Sequence, residues 1–356
     1  MLPIWLGFIA LVLVLLALDL GVFHRTPKAV SVGSALRWSA FWISLGLAFA
    51  AAVYFAYDAH WMGLGLAPDA VDGLPNDGRR ATLKYLTGYV VEKSLSVDNI
   101  FVIAMIFSFF AVPPMYQHRV LFWGILGALA MRGAMIAVGA RLIAQFHWVL
   151  YLFAAFLILT GLKMLLFKAT ELDPNRNPLV RLVRRWFPVT ARYHGSHFLV
   201  RAGSSASHEA EVPGGATVPD EVVDRARPGS VLLTPLALAL IMVEATDLIF
   251  AVDSIPAIFA ITADPFLVFT SNVFAVLGLR SLYFALAGML DRFRYLKPAL
   301  AVVLLVVGLK MLLAGWLKAL LGPQFNLVLL VAVLGILASG VVASLWADRQ
   351  GARPAV

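Results

Sequence analysis

Cysteine is absent from this 356-residue chain, which removes disulfides and thiolate metal ligands together. Charge is scarce as well, since Asp, Glu, Lys and Arg make up 13% of the residues, about half the roughly 25% of a soluble domain. Hydrocarbon fills the space, at 61% of residues. Apolar windows of about 20 residues, enough to cross about 30 Å of lipid, recur along the whole chain. They cover Leu2–Leu20, Trp38–Tyr57, Leu83–Phe110, Val120–Ala140, Trp148–Phe167, Leu232–Thr262, Phe266–Gly288, Pro298–Trp316 and Phe325–Trp346. The pattern predicts an all-α polytopic membrane protein of about nine transmembrane helices, because helices satisfy their own backbone in lipid. The first window has no positive n-region and no small-residue cleavage motif, so it reads as a span rather than a signal peptide.

A net charge of +8 would suggest nucleic acid only if the basic residues formed one face. They fall instead in alternate loops, which excludes nucleic acid as a partner and follows the positive-inside rule. Arg25, Lys28, Arg37, Arg119, the 168–230 loop, Arg292, Arg294, Lys297, Arg349 and Arg353 are assigned to the cytoplasm. Arg79, Arg80, Lys84, Arg141 and Lys318 go to the other side, with the N-terminus outside and the C-terminus inside. The predicted organisation is two N-terminal helices in 1–60, a three-helix unit in 82–168, a cytoplasmic segment in 169–230, a second three-helix unit in 231–318 and a last helix in 324–347. Within the cytoplasmic segment, 176-RNPLVRLVRRWF-187 reads as an interfacial amphipathic stretch. The part from 202 to 230, rich in Ser, Gly and Pro, reads as flexible linker. His194, His197 and His208 read as solvated side chains, since no metal-ligand spacing joins them.

On either side of that linker the chain repeats itself. 98-DNIFVI-103, Arg132 and 161-GLKMLL-166 are matched at nearly equal spacing by 247-DLIFAV-252, Arg280 and 308-GLKMLL-313. Each copy holds an odd number of spans, so the two enter the membrane from opposite sides. This predicts an inverted 3+3 repeat, the architecture of secondary transporters with a midplane site on interrupted helices. Pro256 is the expected interruption, because it lacks a backbone donor.

Five carboxylates lie inside predicted spans: Glu92, Asp98, Glu244, Asp247 and Asp253. At about 2.5–3.5 kcal/mol for each acid at a helix centre, they demand an offset. One offset is internal pairing. Arg132 and Arg280 hold equivalent repeat positions and are the candidate structural partners, while Lys163 and Lys310 lie near helix ends and can snorkel. The other offset is a bound cation. Glu92, Ser96 and Asn99 share one helical face, Ser94 and Asp98 lie beside them, and Glu244 and Asp247 are i, i+3 neighbours. Thr246 and Ser254 add hydroxyls, and carbonyls freed near Pro256 could join them. An all-oxygen set suits Mn²⁺, Mg²⁺ or Ca²⁺ and predicts a near-octahedral cage. The methionines and the glycines of the fourth span (Gly124, Gly127, Gly133 and Gly139) read as packing.

The motifs 92-EKSLSVDNIF-101, 244-EATDLIFAVDSIPAIFAIT-262 and 17-ALDLGVFHR-25 closely resemble those of the TerC/Alx family of integral membrane proteins. That resemblance covers nearly the whole chain. It implies a manganese(II) exporter of the lysine-exporter-like superfamily in a bacterial inner membrane. It also implies metal handling by Glu92, Asp98, Glu244, Asp247 and Asp253, with Asn99 in the same motif. Manganese would then be cargo rather than a resident cofactor, and protons competing for the carboxylates would be the coupling ion. Two rival expectations stand beside transport. One is a metal-dependent intramembrane enzyme, which the absence of HExxH and GxSxG motifs disfavours. The other is a non-transporting scaffold in metal or tellurium stress.

Overall fold

The computed structural model describes residues 2–21, 32–146, 148–166, 182–183, 185–190, 192–202, 222–223, 226–227, 229–286, 295–313, 316–317 and 324–351. The helices are α1 (Leu2–Gly21), α2 (Val32–Asp58), α3 (Gly78–Phe109), α4 (Pro114–Gln145), α5 (Val149–Leu166), α6 (Pro235–Phe259), α7 (Pro265–Val276), α8 (Leu279–Leu286), α9 (Leu296–Leu312) and α10 (Phe325–Gly351). Every predicted span therefore contains a helix. Among the described residues, seven helical spans are long and apolar enough to cross a membrane. The two exceptions are informative. α9 has only 17 residues, and α3 carries Lys84, Glu92, Lys93 and Asp98 along its length.

The sixth predicted span is shorter than expected. Leu232 and Leu233 belong to a strand, β2 (Val231–Leu233), paired antiparallel with β1 (Leu199–Arg201). Thr234 then caps the helix by accepting from the Ala237 amide at 3.3 Å, and Pro235 occupies the first turn, where no amide is needed. This small sheet brings together the two ends of the segment that the sequence reads as linker. His194 is buried there, at 1% exposure, and so is not the solvated side chain expected. Residues 22–25 of the first motif, most of the amphipathic stretch, His208, Arg292, Arg294 and Lys318 lie outside the described residues, as does the Lys297 side chain.

Pro256 does not interrupt its helix, contrary to the sequence expectation. It lies in the last turn of α6, and its own carbonyl accepts from Ala260 at 2.9 Å. A proline there removes the bond to the carbonyl four residues earlier, yet the helix continues past it to Phe259. The discontinuity falls in the next span. Leu277 leaves the helical region and Gly278 takes φ +80°, separating α7 from α8. Only glycine tolerates this position readily, and a Cβ there would also come within 2.5 Å of Trp42 Cβ.

Packing between the two halves is reciprocal. α3 lies on α7 while α6 lies on α4, α3 touches α6, and α5 runs along α9. At the last crossing, Gly161 meets Ala301 and Leu305, and Gly308 meets Ala154 and Ile158. Each residue is displaced from its counterpart by the same number of positions in the chain. The glycines of the two GLKMLL motifs thus do the same job for each other, letting the helices touch through backbone.

Candidate metal site in the membrane interior

α3, α4 and α6 converge on one guanidinium. Arg132 of α4 is 1% exposed and Glu92 of α3 is 0% exposed. Arg132 Nη1 donates to Glu92 Oε1, and Nε and Nη2 donate to Asp247 Oδ2 and Oδ1 at 3.2 and 3.0 Å. Nη1 also reaches Ser254 Oγ at 3.4 Å. Asn99 Nδ2 donates to Asp247 Oδ1 at 3.4 Å, which ties α3 to α6 directly. The planar fork of arginine stays charged at any working pH and can serve two carboxylates at once.

The cluster is not fully satisfied. Among the described residues, Glu92 Oε2, Ser96 Oγ and Glu244 Oε2 are buried with no hydrogen-bond partner. An unpaired buried polar atom costs about 1–3 kcal/mol, and such atoms mark places where a water or ion belongs. The Glu244 carboxylate lies directly against Gly127 of α4, where any Cβ would collide with it. That glycine does more than admit a helix. It makes room for an acid. Beside Asn99, Thr246 and Asp247 is a cavity with free volume of about 20 Å³, enough for about one water-sized occupant.

The remaining sequence candidates fall elsewhere. Ser94 and Thr246 donate to the carbonyls of Val90 and Met242 in their own helices, both at 2.7 Å. Asp253 lies about 9 Å further along α6 than Asp247 at 1.5 Å per residue and accepts from Thr160 of α5 at 3.3 Å. Asp98 is on α3, but its side chain lies outside the described residues. Arg280 does not join the carboxylates. Its Nη2 pairs with Asp19 of α1 at 2.8 Å, and its Nη1 lies 2.8 Å from His118 Nε2. The repeat position is shared with Arg132, but the partners differ, since Asp19 belongs to α1, outside both copies. Lys310 does not snorkel. It is buried and donates to the Ala260 carbonyl at 2.9 Å. Among the described residues, no three His, Asp or Glu side chains are grouped closely enough to hold a metal ion. In this conformation Arg132 fills the space between Glu92 and Asp247.

Two further features were not read from sequence. Lys93 donates to the carbonyls of Ala275 and Leu277, at 2.9 and 3.3 Å, and so caps α7 at its break. The carbonyl end of a helix attracts a cation. Near the start of α3, Lys84 is buried rather than in an outer loop. It contacts Asp69, Asp72 and Asn76 at 2.9, 2.8 and 2.7 Å. Asp69 accepts from the Thr262 hydroxyl and from the Ala263 amide at 2.9 Å, and Tyr57 donates to Asp264 at 2.8 Å. Burial pushes the Asp69 carboxyl up, but Lys84 and the hydrogen bonds outweigh it and hold the carboxyl below its usual range. Burial raises that of Asp264. The run 69-DAVDGLPND-77, three acids ahead of a lysine, was the available signal for this cluster.

Residues 77–352 match the integral membrane protein TerC family. A Myxococcus xanthus membrane protein, STKORF319, is 45% identical over 98% of this chain and 93% of its own length. Proteins named "Putative membrane-bound redox modulator Alx" are 42% identical in Salmonella typhi and 41% identical in Escherichia coli K12, each over 98% of this chain and 95% of their own length. No solved structure matches.

Proposed function

The chain belongs to the TerC family of integral membrane proteins, and from that premise we propose that it exports a hard divalent cation, manganese(II), from the cytoplasm by alternating access. The observation that carries this reading is the meeting of Glu92 and Asp247, carboxylates from the two halves of the chain, on one buried guanidinium. Unpartnered oxygens of Glu92, Glu244 and Ser96 accompany them. Such a site has a surplus of acid and only oxygen donors, which selects Mn²⁺ and its hard relatives over softer metals. Asp98, Asn99 and Asp253 complete the ligand inventory that the family resemblance implies.

Alternating access draws support from the reciprocal packing of the halves, which is what an inverted 3+3 repeat would produce. The break at Gly278 adds a discontinuous helix beside the site, capped by Lys93. With the N-terminus outside a bacterial inner membrane, the Lys84 cluster lies on the outer side and closes it. Protons that reach the emptied carboxylates are the proposed counter-ion. The relatives' name speaks of redox modulation. Thiol–disulfide exchange by its own side chains is unavailable to a chain with no cysteine.

Reconstituted protein in liposomes provides the test. Mn²⁺ should cross only when the carrier is present, and Asp247→Asn should abolish the flux at normal abundance. The absence of Mn²⁺ flux under any imposed pH gradient would overturn the reading. A scaffold would instead lose function only in proportion to abundance, and an enzyme would change lipid or protein processing without changing metal resistance.

A further inference from the structure

The guanidinium of Arg132 occupies the place where cargo should bind. It engages Glu92 Oε1 and both oxygens of Asp247, which leaves Glu92 Oε2 unused among those four. A divalent cation that ligates both carboxylates must therefore displace at least part of the fork. The two cations also exclude each other by charge, because arginine cannot shed its proton to make room. When the metal departs, Glu92 and Asp247 would be two like charges in a buried site, an arrangement that is strongly unfavourable without a partner. The guanidinium is already attached to supply that partner.

We propose that Arg132 is the tethered counter-cation of the empty carrier. It takes the cargo's place after release, holds the two halves together through Glu92 and Asp247, and lets the metal-free protein return. This rests on the export reading and refines it by dividing the cycle between two cations, one transported and one fixed. Arg280 provides the internal contrast. It matches Arg132 in the repeat, yet its bonds go to Asp19 and His118. The role therefore follows from position beside the carboxylates and not from the repeat itself. A competing tether also sets affinity, because cargo binds only the fraction of molecules whose site is vacated, and the apparent Kd is the intrinsic Kd divided by that fraction.

The experiment uses full-length protein carrying Arg132→Gln or Arg132→Lys. Mn²⁺ binding is read from the paramagnetic resonance signal of the free ion. Net Mn²⁺ efflux and Mn²⁺-for-Mn²⁺ exchange are read in the same liposomes. Arg132→Gln should bind Mn²⁺ about tenfold or more tightly, because the competitor is gone. Its ratio of net efflux to exchange should fall by about tenfold, since exchange never requires the metal-free carrier to return. Arg132→Lys, a point charge with no fork, should move both readouts the same way by less. Unchanged or weakened binding, or an unchanged ratio of net efflux to exchange, would overturn the proposal. Should Arg132→Gln fail to accumulate, the same two readouts in Arg132→Lys decide. Wild-type protein that neither binds nor moves Mn²⁺ would instead overturn the export reading itself.

Discussion

Two buried ion clusters sit on the same helix and end differently. Around Lys84, the ammonium contacts Asp69, Asp72 and Asn76, and Asp69 accepts from a hydroxyl and two amides as well. Around Arg132, the fork is well used, but oxygens of Glu92, Ser96 and Glu244 have no partner. The first cluster pins the connector at 59–77 to that at 260–264, as a closed structural lock does. The second leaves donor atoms unused and has a small cavity beside Asn99 and Asp247, as a ligand site does. Buried charge alone therefore says little about function. Residual hydrogen-bonding capacity separates the two cases.

Substitutions in each cluster can break this contrast. Lys84→Met strands Asp69 and Asp72 without their cation and should cost about 3–5 kcal/mol. Thermal unfolding in detergent should show the loss, with transport falling only as far as abundance falls. Gly127→Ala pushes a methyl into the Glu244 carboxylate and should cost about 1–3 kcal/mol by overpacking. Its larger consequence should be weaker Mn²⁺ binding, measured at equal protein concentration. Glu92→Gln keeps an acceptor for Arg132, whose charge Asp247 still balances, and should cost about 1–3 kcal/mol, less than Lys84→Met. Mn²⁺ flux should nevertheless fall by at least about tenfold, since the lost charge is one the cargo needs. Lost flux that merely tracked lost protein would place the Arg132 cluster in the same class as the Lys84 cluster.

The smallest expected effects concern pH at the connectors 59–77 and 260–264. A carboxyl held below its unfolded value, as in Asp69, stabilises the fold above that value and ceases to do so as pH falls through the folded one. The Lys84 lock should therefore loosen below about pH 4, and Asp69→Asn should flatten that acid loss. Asp264 has the opposite sign. Burial raises its carboxyl, so the stability it contributes is present in acid and lost as pH rises. Asp264→Asn, which retains a helix cap, should be neutral or stabilising at pH 7 by up to about 1 kcal/mol. Unfolding curves from pH 3 to pH 8 measure both.

The helices were legible in the sequence because apolar length alone sets a span. Their ends were not. Thr234 caps the N-terminus of the sixth helix and starts it later than hydropathy suggests, and a proline in the last turn looks in sequence like one in mid-helix. The break at Gly278 carried only a single glycine as its signal, and the crowding that requires it comes from Trp42 on α2, not from a local motif. The acids of the interior were legible because they are rare in hydrocarbon. Their partners were not, since the choice between Arg132 and Arg280 depends on which helix faces which. Repeat symmetry suggested equivalence, but Asp19 drew Arg280 to α1.

The central claim is that the acids around Arg132 handle a transported divalent cation. Mn²⁺ flux into liposomes containing wild-type or Glu244→Gln protein, at matched reconstitution and confirmed folding, tests it most directly. The account predicts rapid flux for the wild type and a loss of about tenfold or more for the variant, whose unpartnered carboxylate oxygen would become an amide. Equal flux in the two proteins would contradict it.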